Sequence, residues 1–442
     1  MKTVIMAGGK GTRISSIASD IPKPMIPIQG VPVLEREIKS LKEQGFTDII
    51  ITVSHLGHII MDYFGNGNKK SPVTGENFGV NIEYFFEEVP LGTAGALFKL
   101  KDKLTEDFLL LNADAVFDID FNRFVDFHKK HGGLVTLFTH PNNHPYDSGL
   151  IISDSKGTVK EWLSKEDERP KYYKNRVNAG LHILSPKLLD VEINTPKIDL
   201  DRQILKPLAG TGQIYIYDSP EYVKDMGTPD RYYIVEDNFA NGIVSGKNLH
   251  RPQKAVFLDR DGTINKYKGF IRNPEDFELI PGVSEAIKKL NESGYLVIVV
   301  TNQPVIARGE VTYEGLEEIH NRMETLLGND GAYVDAIYYC PHHPHKGYEG
   351  EIPELKFDCE CRKPKPGLLL KAAKDYNISL KDSYIIGDTS NDILAGKNAG
   401  CKTILVREDY QDIGQDYYFE TIGESVNSIL SINENKYVLK RR

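Results

Sequence analysis

The chain has 442 residues, 40% of them hydrophobic and 26% charged, and a formal net charge of −9. That length exceeds one ordinary hydrophobic core, so two or three domains are expected. No apolar run approaches the roughly 18–20 residues of a membrane span, and the only basic run is the short tail Lys440, Arg441 and Arg442, which excludes a broad nucleic-acid footprint. The start of the chain lacks the charged, apolar and small-residue regions of a signal peptide, so a cytoplasmic enzyme of small-molecule substrates is expected, with neither nucleic acid nor membrane as partner.

Along the chain, short apolar runs at Val4–Ala7, Ile49–Val53 and Phe108–Leu111 alternate with helix-like stretches such as Val33–Glu43, the pattern of an α/β sheet covered by helices. The alternation restarts at Ala255–Leu258. It continues with a helix at Val283–Glu292, strands at Leu296–Thr301 and Tyr384–Gly387, and a helix at Asp392–Ala399. Between the halves, Asn241–Asn248 is rich in glycine and small polar residues and His250-Arg251-Pro252 follows, a composition suited to an exposed connection. The expected division is 1–244, a linker at 245–252, and 253–442.

The first strand runs into Gly8-Gly9-Lys10-Gly11-Thr12-Arg13, where glycines let backbone N–H groups approach a phosphate chain and the two cations add charge. The turn is neither the Gly-x-Gly-x-x-Gly of dinucleotide folds nor a P-loop. In Ile21-Pro22-Lys23-Pro24-Met25, two prolines pin the backbone on either side of one lysine and fix the direction of its ammonium.

These two motifs in this order resemble the sugar-phosphate nucleotidyltransferase family. The likeness extends through Pro90–Ala96, Asn112-Ala113-Asp114, Asn178-Ala179-Gly180 and Lys224–Pro229, over about the first 235 residues. It implies attack of a sugar 1-phosphate oxygen on the α-phosphorus of a nucleoside triphosphate, with pyrophosphate leaving. Two anions meet in that reaction, so a divalent cation and fixed cations are needed. By the same resemblance Asp114 and Asp225 hold Mg²⁺, and Arg13 and Lys23 contact phosphates. Gly8, Gly9, Gly11 and Thr12 cradle the nucleotide, Gly92 and Gly95 shape the nucleobase pocket, and Lys165 and Asn178 face the sugar phosphate. One departure stands out: Ser164-Lys165-Glu166 occupies the place of the family's frequent Glu-Lys-Pro. Glu161 is then either a replacement for that glutamate or a surface carboxylate.

The strand Ala255–Leu258 ends in Asp259-Arg260-Asp261-Gly262-Thr263, a spacing that lets one carboxylate attack phosphorus while the other handles protons. With Thr301-Asn302-Gln303, Arg362-Lys363-Pro364 and Gly387-Asp388-Thr389, it resembles the four motifs of the haloacid dehalogenase (HAD) superfamily. The resemblance makes Asp259 the nucleophile and Asp261 the acid and base. Thr301, Asn302, Arg362 and Lys363 bind phosphate, and Asp388 joins Asp259, with Asp261 beside them, around Mg²⁺. Asp392 either orients this site or caps its helix.

Cys340 and His342, followed by Cys359 and Cys361, can close a tetrahedral structural Zn²⁺ site. His343 and His345 are expected in solvent, with one of them an outside alternative ligand, and Cys401 in the core. This zinc loop, with Ile306-Ala307-Arg308-Gly309, resembles the D-glycero-D-manno-heptose 1,7-bisphosphate 7-phosphatases, and histidinol phosphatases share the nucleophile and a similar loop. Pro304-Val305 stands where many heptose enzymes have Ser-Gly. Arg308 or Arg272 is the candidate grip on a retained phosphate.

The fold class expected is therefore α/β with two Rossmann-like domains: a mixed nucleotidyltransferase sheet and a HAD-like parallel sheet with a zinc loop. The first half most resembles the D-glycero-α-D-manno-heptose 1-phosphate guanylyltransferases, which makes GTP the first expectation, with ATP and CTP open. Mannose or another hexose as the sugar, and one half as a non-catalytic binding module, are the competing readings.

Overall fold

The computed structural model describes residues 1–9, 14, 17, 20–191, 193 and 195–434, with side chains to 431. Lys10, Gly11, Thr12, Arg13 and the tail lysine and arginines lie outside the described residues. Among the described residues, no helix is long and apolar enough to cross a membrane. The chain divides into two units: Met1–His140, Gly149–Ser164 and Val177–Asn248 form the first, and Pro141–Ser148, Lys165–Arg176 and Leu249–Arg442 the second.

The first unit is built on a nine-stranded mixed sheet of β1 (Thr3–Met6), β2 (Asp48–Val53), β3 (Asn81–Phe86), β4 (Phe108–Asn112), β5 (Val135–His140), β6 (Leu150–Ser153), β7 (Val159–Leu163), β8 (Val177–Leu184) and β9 (Ile214–Asp218). Its order is β7-β6-β8-β4-β1-β2-β3, and β5 pairs with both β8 and β9. β1 lies between β4 and β2, parallel to both, so Val4 and Ile5 are wholly buried between apolar neighbours. That explains why these strands read as continuous apolar runs. The helix α1 (Val33–Glu43) starts directly after Pro32, its N-cap, and buries Val33, Leu34, Ile38 and Leu41 on one stripe. The carboxyl ends of β1 and β4 deliver Gly8, Gly9 and Asp114 to one edge, where open α/β sheets gather their ligands.

The second unit has six parallel strands: β10 (Ala255–Leu258), β11 (Leu296–Asn302), β12 (Ala336–Cys340), β13 (Tyr384–Gly387), β14 (Lys402–Val406) and β15 (Tyr417–Phe419), ordered β12-β11-β10-β13-β14-β15. Every side chain of β10 is buried. The helices α2 (Tyr313–Asn329) and α3 (Ser390–Ala399) follow β11 and β13. Two stretches from the first half of the sequence are part of this unit. Arg176, 2% exposed, donates to Glu324 of α2 at 3.0 Å and to the Asp335 carbonyl at 3.1 Å, while Tyr173 N–H donates to Thr325.

The expected fold class is observed. The connection, in contrast, is not exposed throughout: Lys247, Asn248 and Leu249 are buried, and Asn248 donates its side-chain amide to Asp118 at 2.6 Å. Apolar Val244 and Leu249 flank the polar residues and take them inward, a pull that the glycine content conceals. His343 is also buried, against Tyr348, with its Nδ1 3.1 Å from the His345 carbonyl, whereas His345 is exposed. Cys401 is a core residue, as expected.

Candidate active sites

In the first unit a cleft of about 640 Å³ is lined by Gly8, Gly9, Lys23, Gly92, Asn112 and Asp114, among others. Gly92 is at φ +84°, and a Cβ there would lie 2.4 Å from the Ile198 carbonyl, so the turn at the cleft wall requires glycine. Gly95 starts the short helix Gly95–Lys99. Lys23, nearly buried on its Pro-Lys-Pro turn, donates to Asp114 at 2.9 Å and to Asp225 at 3.2 Å. Arg231 also donates to Asp225, at 2.6 Å. Burial raises the Asp225 pKa, but Lys23 and then Arg231 outweigh it and hold the group below its ordinary value. Both carboxylates thus converge on one point of positive charge, a donor set that fits a hard divalent cation.

Three residues of this region escape sequence reasoning. Glu87, at the end of β3, lines the cleft with Ser54; burial raises its pKa, and the Leu91 N–H partly offsets this. Gly8 gives it room, since a Cβ there would lie 3.0 Å from Oε1. Glu37 of α1 is 2% exposed, and neither carboxylate oxygen has a hydrogen-bond partner among the described residues. Burial, and then Asp114, push its pKa well above the ordinary value. No local motif marks either glutamate; each is recognisable only once distant strands meet.

Of the residues expected at the sugar phosphate, Asn178 is the second residue of β8, and its Oδ1 accepts from Gly180 N–H and from His182 Nε2. Lys165 is exposed and belongs to the second unit, whereas Asn178 belongs to the first. Glu161 is exposed on β7, and Ser164 accepts from Lys206 at 3.2 Å.

In the second unit Asp259, at the end of β10, accepts from Lys363 Nζ at 2.7 Å. Lys363 also donates to Asp392 at 2.5 Å and to the Val300 carbonyl at 2.7 Å. Asp259, Asp388 and Asp392 each offer an oxygen within 4.8 Å of the others. Desolvation pushes Asp259 up, Asp392 adds to it, and Lys363 offsets part. Asp388 is raised to about 6 by burial and then by Asp392, and its Oδ1 is buried without a hydrogen-bond partner among the described residues. An orphaned carboxylate oxygen beside a second carboxylate fits a divalent cation. Gly262, at φ +88°, makes the space: a Cβ there would lie 2.2 Å from Asp388 Oδ2. Asp392 makes two contacts: its Oδ2 accepts from Thr389 at the start of α3, and its Oδ1 accepts from Lys363.

Asp261 stands outside this acidic cluster. Its carboxylate accepts from Arg260, Asn265 and Gln303. Arg260, wholly buried, also donates to Gln303, and its Nη1 lies 3.3 Å from His320. Gln303 and His320 carry no motif of their own for this duty. Thr301 is buried and accepts from Gln303, Asn302 exchanges two 3.0 Å bonds with the Lys363 backbone, and Arg362 donates to the His342 carbonyl. Arg308 stacks between Phe270 and Tyr348 and pairs with Glu310, which also binds Arg272.

Cys340, His342, Cys359 and Cys361 form a compact group, with contacts of 3.3 to 3.7 Å among their sulfur and Nδ1 atoms. Ligands about 2.3 Å from a tetrahedral ion stand ~3.8 Å apart, so the four atoms fit one metal ion with little movement.

The two folds and their sites define a nucleotidyltransferase joined to an aspartate-type phosphatase. The nucleotidyl transferase family matches residues 2–242, and the HAD-hydrolase-like family residues 360–418. The D-glycero-β-D-manno-heptose-1,7-bisphosphate 7-phosphatase of Haemophilus ducreyi is 46% identical over 157 residues, 35% of this chain and 84% of that protein. The Escherichia coli phosphatase of the same name is 43% identical over 155 residues, 35% of this chain and 78% of its own. Among solved structures, HddC from Yersinia pseudotuberculosis is similar, with 26% identity, a TM-score of 0.45, and cover of 54% of this chain and 99% of that one. The D,D-heptose 1,7-bisphosphate phosphatase from B. bronchiseptica is 30% identical with a TM-score of 0.36, covering 41% of this chain and 99% of its own. The chain belongs to the nucleotidyl transferase family and carries, fused to that domain, a HAD-type domain of the heptose-bisphosphate phosphatase family.

Proposed function

We propose that the chain catalyses two consecutive steps toward a nucleotide-activated heptose in the cytoplasm. Its second domain removes the 7-phosphate of D-glycero-D-manno-heptose 1,7-bisphosphate. Its first domain then joins the heptose 1-phosphate to GMP from GTP and releases pyrophosphate. The phosphatase relatives' names support the sugar, and the product of the one reaction is the class of substrate that the other consumes. The division of the sequence at 1–244 and 253–442 goes with this reading, with the stretches 141–148 and 165–176 packed into the second unit.

The observation that carries the choice of base is Glu87. Guanine presents two adjacent donors, N1–H and the 2-amino group, and a partly buried carboxylate accepts both, whereas adenine and cytosine each present an acceptor ring nitrogen at the corresponding edge. Gly8 and Gly9 leave their backbone open to the phosphates, and Lys23 turns from its carboxylates toward them. Arg13, Gly11 and Thr12 complete the cradle by resemblance. Asp114 and Asp225 hold Mg²⁺, which supplies charge neutralisation at the phosphates. Asn178 receives the sugar phosphate, whose oxygen attacks the α-phosphorus as the bond to pyrophosphate breaks.

In the second domain Asp259, held in place by Lys363, attacks the 7-phosphorus as its carboxylate while Asp261 gives a proton to the departing O7. Asp261 then takes a proton from water, which attacks the aspartyl-phosphate and frees inorganic phosphate and Asp259. Asp259 and Asp388 hold Mg²⁺, which supplies positive charge at the phosphoryl oxygens. Thr301, Asn302 and Arg362 bound the phosphoryl pocket, Arg308 or Arg272 receives the retained 1-phosphate, and Cys340, His342, Cys359 and Cys361 hold structural Zn²⁺.

A single incubation of the full chain with heptose 1,7-bisphosphate, GTP and Mg²⁺ tests the reading. GDP-heptose is expected, with inorganic phosphate appearing before pyrophosphate. Faster cleavage of histidinol phosphate than of either anomer of the heptose bisphosphate would overturn the sugar, and equal turnover of GTP and ATP by wild type and Glu87→Gln would overturn the base.

A further inference from the structure

β8 carries a bulge. Its register against β5 shifts between Asn178 and His182, and Gly180, at φ +77°, sits in the irregular stretch, where a Cβ would come within 2.7 Å of the Asn112 amide of the nucleotide cleft. The bulge brings three groups of β8 together. Gly180 N–H, which can only donate, lies 3.2 Å from the Asn178 side-chain oxygen. That contact fixes which end of the carboxamide is oxygen. His182 Nε2 lies 3.1 Å from the same oxygen, so it must carry the proton. The remaining ring nitrogen, Nδ1, is then bare, and it is buried with no hydrogen-bond partner among the described residues. His182 is 1% exposed, and burial lowers its pKa to about 4, which agrees with a neutral ring.

We infer that His182 is a positioning residue that makes Asn178 a pure hydrogen-bond donor toward the sugar 1-phosphate. Both acceptor directions of the Asn178 oxygen are taken by Gly180 and His182. Only its two N–H groups remain for a ligand, and none of the described contacts uses them. The recognised ligand atom is therefore an acceptor oxygen: a phosphate oxygen, or a hydroxyl presenting its lone pair. A hydroxyl proton finds nothing to bond there. Without His182, the amide oxygen keeps one weak backbone contact and the group can flip, presenting its oxygen to an anion and repelling it.

This inference rests on the proposed placement of Asn178 at the sugar phosphate, and the experiment separates the two. In the full chain, with GTP and heptose 1-phosphate, Asn178→Ala tests the placement and His182→Phe, which keeps a flat ring but no donor, tests the positioning. His182→Phe is expected to raise the KM for heptose 1-phosphate about tenfold, leaving the KM for GTP and kcat within about twofold. His182→Gln, whose amide can donate to the same oxygen, is expected to recover most of the loss. A normal KM in His182→Phe beside a raised KM in Asn178→Ala overturns the inference and leaves the placement standing; a normal KM in Asn178→Ala overturns the placement. Independently of substrate and of any variant's folding, ¹⁵N-histidine spectra of the wild-type chain at pH 7 should show a buried neutral ring protonated at Nε2. A charged ring, or a proton on Nδ1, overturns the inference.

Discussion

Each unit sets one lysine ammonium between two aspartates, and the two arrangements differ in depth. Lys23 bridges Asp114 and Asp225, whose side chains are 48% and 40% exposed. Lys363 bridges Asp259 and Asp392, which are 11% and 1% exposed. Water reaches both aspartates of the first set and screens them, so a cation can be taken up there at smaller cost than in the second. The second set is dry, with three clustered carboxylates against one lysine, and desolvation together with mutual repulsion pushes Asp259 and Asp388 up. Burial lowers the Lys363 pKa, but Asp259 and Asp392 more than reverse this, so it stays charged. The open site suits a large, already charged substrate; the closed one stores unneutralised charge that an incoming cation relieves.

The sharpest break between the two sites is removal of the nucleophile. Asp259→Asn should lower phosphate release by roughly ten-thousandfold or more, since no neutral amide forms an acyl phosphate here. Nucleotidyl transfer from preformed heptose 1-phosphate should stay within about twofold, because the two sites sit on separate sheets. Loss of both activities in a folded variant would end the claim of independent sites. In the open site, Asp114→Ala or Asp225→Ala should slow transfer at least about a hundredfold, the scale of lost charge stabilisation at phosphorus. Steady-state rates at saturating Mg²⁺ check this, and near-normal turnover would remove both residues from the metal.

The sequence displays what lies in contiguous strings. Strands β1, β2, β4, β10 and β13 are apolar runs, α1 is a stripe bounded by Pro32, and the motifs around Lys23, Asp259 and Asp388 state their own chemistry. Residues recruited one at a time from distant elements are silent. Glu87 looks like an ordinary charge at a strand end until β3 brings it to the cleft, and Glu37 like an ordinary charge of an amphipathic helix until packing buries it near Asp114. His320 meets Arg260, beside Asp261, only because α2 packs back on the sheet. Likewise Lys171–Arg176 reads as a polar loop, yet Arg176 is buried beside Glu324, since a desolvated guanidinium is tolerated once a carboxylate and a carbonyl saturate it.

The proposed zinc loop offers a smaller and different contrast, because a closed four-ligand site would stabilise the second unit and take no part in the chemistry. Metal analysis should find about one tightly held zinc per chain, independent of added Mg²⁺. Cys359→Ser should lower the melting temperature of the second unit by at least about 5 °C while changing the phosphatase kcat by less than about threefold at a temperature where the unit is folded. A zinc-free chain of full stability would remove the structural role from the four ligands.

The smallest expected effect tests the depth comparison directly. Asp388, raised to about 6, is mostly ionised at pH 7 and mostly protonated at pH 5.5, so Mg²⁺ must displace a proton at the lower pH. This group alone lowers the apparent Mg²⁺ affinity of the phosphatase ~4-fold between those two pH values, and the raised Asp259 acts in the same direction. Asp225 moves the other way, since Lys23 and Arg231 keep it below its ordinary value and it remains a carboxylate throughout that window. The Mg²⁺ midpoint of nucleotidyl transfer, expressed as free ion after allowance for what GTP binds, should therefore shift less than about twofold. Both midpoints can be measured on one preparation at pH 7 and pH 5.5. A ratio of shifts near one would mean that burial does not distinguish the sites, and that the orphaned Asp388 oxygen is not where the phosphatase cation binds.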